Sequence, residues 1–247
     1  MNTEEIYNTS EHRPIAMPEG KWILYQEWNH VIFLHWQVTV EQLHQLIPPG
    51  LEVDLYKGTP WVSLVAFRLE NVRPRILPSF SPVSNSDEIN IRTYVKYKGK
   101  PGIFFVSMEL GKKITNVITK TFTGLPYRHS DIKITENSYH SNHRESGDSL
   151  DIGFQVKSRK FEKSELEKWL TERYTLFQDE DENSLMEFEV HHYEWPLHNV
   201  QIEKQVVNYE EFAHMLKMQP LYAHYSPGVK VLTWGKKIHK VYNRNEG

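Results

Sequence analysis

Glu88-Ile-Asn-Ile-Arg-Thr-Tyr-Val95 is the stretch on which the reading of this chain turns. Side chains alternate across a strand. Glu88, Asn90, Arg92 and Tyr94 therefore share one face, and Ile89, Ile91, Thr93 and Val95 share the other. The second face suits packing on a core. The first lines up a carboxylate, an amide, a guanidinium and a phenol. Turned to water, it belongs to an ordinary amphipathic strand of an antiparallel sheet. Turned into a barrel, it is a row of fixed donors and acceptors for a small ligand.

Upstream of this strand, Asn71 to Ser86 carries Pro74, Pro78 and Pro82 and has no period, which reads as a long loop. Arg73 and Arg75 flank Pro74, and two guanidiniums on a stiffened loop can grip an anion such as a carboxylate. The alternative is that both pair with nearby acids in solvent. Val31 to Val38 reads as a buried strand, and Thr39 as the cap of a short helix stopped by Pro48-Pro49-Gly50. Leu51–Tyr56 and Trp61–Leu69 read as two strands. Downstream, Ile103–Met108 is a strand, Ile114 to Phe122 has helical spacing, and residues 131–160 read as a hairpin with a soft tip at Ser138–Ser149. Ser164-Glu-Leu-Glu167 and Asn208-Tyr-Glu-Glu211 are capping boxes that open helices. Asp179–Glu182 reads as a solvated turn, and strands return at Leu185–Tyr193 and Val229–Trp234. Many strands with a few short helices give an α+β fold with a mainly antiparallel sheet or barrel. The expected organisation is a flexible leader at 1–20 and a single domain at 21–240.

Composition removes several kinds of chemistry. The 247 residues include no Cys, so disulfides, thiolate nucleophiles and cysteine-ligated metals are excluded. The net charge of −3 is not the footprint of a nucleic-acid binder. No apolar run approaches the roughly 18 residues a membrane span needs, and residues 1–20 lack a signal-peptide core. A cytoplasmic setting is expected. The dinucleotide, P-loop, Gly-x-Ser-x-Gly and His-Glu-x-x-His motifs are all absent. His191 and His192 are neighbours on a strand and point to opposite faces, which argues against one shared metal; one ring is expected inside and one in solvent.

Several strings resemble one family. They are Val31-Ile-Phe-Leu-His-Trp36, Ile47-Pro-Pro-Gly-Leu-Glu52, Val72-Arg-Pro-Arg75 and the 88–95 strand in the first half. In the second half come Gly124-Leu-Pro-Tyr127, Leu170-Thr-Glu-Arg-Tyr174, His191-His-Tyr-Glu-Trp-Pro-Leu197 and His224-Tyr-Ser226. Together they resemble the YqjF-like family of conserved, uncharacterised bacterial proteins over residues 22–234. The resemblance implies the acetoacetate-decarboxylase-like fold, a closed antiparallel β-barrel around a small-molecule cavity. It also moves the polar face of the 88–94 strand toward that cavity.

The decarboxylases of that fold act through a lysine Schiff base, with the lysine in a Gly-x-Pro-Lys-Lys pattern and a glutamate on a preceding strand. Glu88 falls where that glutamate would. The corresponding string here is Gly124-Leu-Pro-Tyr-Arg128, so Tyr127 stands in the nucleophile's place and Arg128 beside it. Neither forms a Schiff base. Glu88, Tyr127 and Arg92 are the expected catalytic groups; Arg73, Arg75, Asn90, Tyr94 and Arg128 are the expected ligand contacts. Positive charge from Arg92 or Arg128 would favour a Tyr127 phenolate. The expected partner is a small carbonyl- or carboxylate-bearing molecule such as an oxo-acid, with no cofactor, metal, nucleic acid or membrane, and a homo-oligomer is left open. A non-catalytic binding or sensing module, or a barrel that serves a protein partner, is the alternative.

Overall fold

Seven strands close a ring in the computed structural model, which describes residues 3–79, 84–112, 124–216 and 218–241. They are β1 (Leu24–Gln37), β3 (Trp61–Pro74), β4 (Ser86–Tyr97), β5 (Lys100–Leu110), β10 (Thr175–Asp181), β11 (Ser184–His191) and β13 (Tyr222–Thr233). The order around the ring is β11-β10-β5-β4-β3-β1-β13, and β13 returns to β11 through Val190↔Thr233 and His191↔Leu232. All these pairings are antiparallel except β10 with β5. β12 (His198–Asn208), β9 (Ser149–Arg159), β8 (Ser138–Asn142) and β7 (Asp131–Ile134) continue from β13 as a second leaf. Short strands β2 (Glu52–Val53), β6 (Arg128–His129) and β14 (Lys237–Lys240) pair with β4, β5 and β11.

Alternation sorts the ring's side chains into two cores. Ile32, Leu34, Leu64, Ala66, Ile89 and Ile91 face the second leaf and pack with Tyr139, Leu150, Ile152 and Phe154. Val31, Phe33, Val65, Phe67, Val229 and Val231 lie on the opposite, inner face with Trp195 and Leu197. Gly228, at φ 133°, lies opposite Asn29 in β1. A Cβ there would come 2.3 Å from the Trp28 carbonyl oxygen, so that close approach of β13 to β1 requires glycine.

The helices are short: α1 (Thr3–Asn8), α2 (Val40–His44), α3 (Glu165–Thr171) and α4 (Ala213–Leu216). Thr39 and Ser164 cap α2 and α3 through complete capping boxes, as their sequences predict. None of the described helices is long and apolar enough to cross a membrane.

The structure differs from the sequence reading in several places. Residues 3–20, expected as a loose leader, pack on the ring: Ile6 is fully buried beside Trp22, Tyr25, Leu232 and Trp234, and Arg13 donates to the Val190 carbonyl at 2.7 Å. The loop expected from Asn71 begins later, because β3 runs to Pro74. The 131–160 region holds three strands, with β8 in the expected tip. β10 was hidden by its acidic end and β12 by its polar alternation, while β13 begins at Tyr222, ahead of the expected Val229. His191 and His192 are both buried. The helix expected at 114–122 lies outside the described residues.

Candidate functional site

The polar face of β4 points to the ring's inner side. Glu88 pairs with Phe67, Asn90 with Val65 and Arg92 with Ser63, all partners on the inner face of β3. Glu88 and Asn90 are 4% and 3% exposed. Asn90 Nδ2 donates to Glu88 Oε1 at 3.1 Å, and the Tyr127 hydroxyl donates to Oε2 at 3.3 Å. Burial pushes the Glu88 carboxyl up to about 7, and the two neutral donors only partly offset it. Among the described residues no lysine meets this carboxylate. Burial and the neighbouring Glu88 also push the Tyr127 phenol well above its ordinary range. That corrects the expected phenolate: Tyr127 is a protonated donor facing an acid, not an anion beside a cation.

Farther along β4 the face meets α3. Arg92 Nη2 donates to the Leu170 carbonyl at 3.2 Å, and the Tyr94 hydroxyl reaches the same oxygen at 2.9 Å. Tyr94 also bonds Ser63 Oγ at 2.6 Å, and Ser63 bonds His35 Nδ1 at 2.6 Å. The His224 ring lies 5.6 Å from that of His35, and its Nε2 donates to Glu167 at 2.8 Å. Burial would raise Glu167, but Lys160, Ser164 and His224 outweigh it and hold the carboxyl at about 2. Burial keeps His35 well below its ordinary range. Asn90 Oδ1, Arg92 Nε, His35 Nε2 and His224 Nδ1 are buried with no hydrogen-bond partner among the described residues. Such atoms call for an explanation.

Sequence reasoning missed His35, Ser63 and Glu167 as site residues and named His224 only within a string that carries the family resemblance. A signal for His35 was present: Val31, Phe33 and His35 fall on one face by alternation.

Three expected contacts lie elsewhere. Val72 packs toward the inner core, so alternation turns Arg73 outward, where its guanidinium stacks on Tyr25 at 4.7 Å. Arg75 is exposed and stacks on Trp22 at 5.0 Å. Arg128 turns to the layer between the leaves, bonding Ser107 at 2.8 Å and pairing with Asp148 and Glu109 at 3.3 and 3.5 Å. His191 and His192 are tied to backbone carbonyls of Ile6 and Tyr193. Among the described residues no three metal-ligating side chains cluster. An open cleft of about 360 Å³ lies by the other face of β4, lined by Arg68, Ser86, Asp87 and Lys112.

A model of the family DUF2071, described as uncharacterized conserved protein, matches residues 25–230. The chain is 37% identical over 236 residues to the uncharacterized protein YqjF of Bacillus subtilis (strain 168), covering 91% of this chain and 96% of that one. Among solved structures it resembles an acetoacetate decarboxylase-like enzyme from Sphingomonas wittichii RW1. The TM-score is 0.62 at 14% identity, over 93% of this chain and 99% of the other. It also resembles the enduracididine biosynthesis enzyme MppR complexed with pyruvate, with TM-score 0.58, 12% identity and 94% of each chain covered.

Proposed function

This chain belongs to the DUF2071 family of uncharacterized conserved proteins and has the acetoacetate-decarboxylase-like fold, and we propose that its barrel binds a small carbonyl- or carboxylate-bearing molecule and moves a proton on it without a lysine Schiff base. The observation that carries this reading is Glu88. Its carboxyl is held at about 7 between two neutral donors, so both protonation states are populated near neutral pH. That is the condition for general acid–base work on an enolisable carbonyl. The carboxylate takes an α-proton, or the acid gives one to the carbonyl oxygen, while the Tyr127 hydroxyl donates a hydrogen bond. Pyruvate on MppR supports an oxo-acid as the ligand class. A cytoplasmic setting goes with this reading. A binding module without turnover is the second reading, favoured by the near-complete closure of the Glu88–Asn90 face to solvent.

The test is a thermal-shift screen with pyruvate, acetoacetate and neutral ketones, joined to borohydride trapping. At least one of these compounds raises the melting temperature of the wild type, and Glu88→Gln weakens that rise. Borohydride with pyruvate leaves the protein's mass unchanged. A lysine adduct, or no shift with any compound, overturns the proposal. Solvent exchange at the ligand's α-carbon, lost in Glu88→Gln, separates the enzyme from the binding module.

A further inference from the structure

We infer that Arg92 and His35 form a carboxylate-binding subsite on the inner face of the barrel. The inference rests on the barrel's being a small-molecule site, and it names the end of the ligand that the barrel recognises.

The register supplies the geometry. His35 lies directly opposite Ser63, and Ser63 directly opposite Arg92. The three residues form one row across β1, β3 and β4, with strands about 4.8 Å apart. The small residue is in the middle. Its hydroxyl is already tied to His35 Nδ1 and Tyr94, both at 2.6 Å. A guanidinium and an imidazole thus flank a short side chain, and donors of this kind match a planar two-oxygen anion.

Unmet bonding points to the same group. Arg92 is 8% exposed and always charged. Its one described acceptor is the Leu170 carbonyl, its Nε is buried without a partner, and no described carboxylate lies within ion-pair distance. Arg173, whose guanidinium lies 5.1 Å from the Tyr94 ring centroid, shows the usual arrangement: its Nη1 meets Asp54 at 2.7 Å. A buried charge is normally paired. Two buried carboxylates of this site are otherwise engaged, Glu88 with Asn90 and Tyr127, and Glu167 with His224 and Lys160. His35 is fully buried, and its Nε2 has no described partner. When the Tyr94 hydrogen turns from Leu170, which keeps its bond from Arg92, to Ser63, Ser63 donates to Nδ1, and Nε2 then carries the hydrogen and adds a second donor. A ligand carboxylate would satisfy both groups, leaving its carbonyl end toward Asn90 and Glu88.

The experiment is calorimetric titration of the whole protein with matched pairs: propionate against propionamide, and pyruvate against its methyl ester. The wild type binds each acid at least tenfold tighter than its neutral partner. Arg92→Gln removes that preference, a loss of about tenfold to a hundredfold for a charge-assisted bond. His35→Asn reduces it while leaving the Arg92 bond to Leu170 in place, which covers the case in which Arg92→Gln does not fold. Glu88→Gln keeps the preference for the acids. Equal binding of acid and neutral partner by the wild type, or an intact preference in both Arg92→Gln and His35→Asn, overturns the subsite. Glu88-dependent binding of methyl pyruvate without any acid preference overturns the subsite alone. Propionate preference with no carbonyl compound bound overturns the proposed function alone, and no binding of any probe overturns both.

Discussion

Glu88 and Glu109 sit on neighbouring strands, at 4% and 1% exposure, yet on opposite faces of the wall. Glu109 stands opposite Ile89, so its carboxylate enters the layer between the leaves. Burial pushes it up as well, but Ser130 and the Arg128 guanidinium, 3.5 Å away, pull back. Glu88 has only Asn90 and Tyr127 to counter its burial. Burial is nearly equal in the two, and what differs is the charge of the neighbours. A buried carboxylate beside a cation joins two layers, whereas one among neutral donors is left able to exchange its proton.

Glu88→Gln breaks this contrast most strongly. The folded-state value of about 7 lies above the ordinary 4.5, so protonation favours the fold. The burden is absent below about pH 4.5, grows as pH rises, and is complete above about 7. It amounts to about 3 kcal/mol by linkage. Urea unfolding at pH 5 and pH 8 will show wild-type stability falling with pH, and Glu88→Gln flattening that fall. The substitution is tolerated locally, since the unpaired Asn90 oxygen can accept from the new amide. Glu109→Gln will not flatten it to the same degree.

Arg128→Met attacks the other side of the contrast. It leaves Glu109 buried with its cation removed, a change that costs 3–5 kcal/mol for a fully buried pair. Arg128 is about one-third exposed, so solvent reduces this to about 2 kcal/mol. Unfolding midpoints at pH 7 measure it, and Glu109→Gln in the same background should restore about half.

Tyr127→Phe has the smallest effect. It takes one donor from the Glu88 carboxylate, costs about 1 kcal/mol at pH 8 and almost nothing at pH 5, and moves the Glu88 titration upward. Carboxyl-region NMR or infrared titration will follow that movement. A downward movement would mean that Tyr127 does not face Glu88.

The polar face of β4 was legible because it depends only on alternation within one strand. Tyr127 beside Glu88 came from the position of Gly124-Leu-Pro-Tyr127 in a family pattern and from nothing local. Arg73 misled because β3 runs on from Leu69 to Pro74, and its alternation carries Arg73 to the outer face, with Arg75 just beyond the strand's end. The row from His35 through Ser63 to Arg92 depends on the register of three strands that are far apart in sequence. No period within any one of them encodes that register. β12 was missed although its Val200 and Ile202 alternate with polar residues, because only one of its faces is covered.

β13 hydrogen-bonds to β1, β11 and β12. During synthesis the ring therefore stays open until residues near Thr233 have left the ribosome, although most of its wall was made well before. Until then, the inner faces of β1, β3 and β4 wait for a partner nearly two hundred residues downstream of β1. Such long-range closure slows folding. The half-made chain carries its recognition groups in a sheet with two free edges, so this protein acquires its site only once β13 has been made, and not in stages.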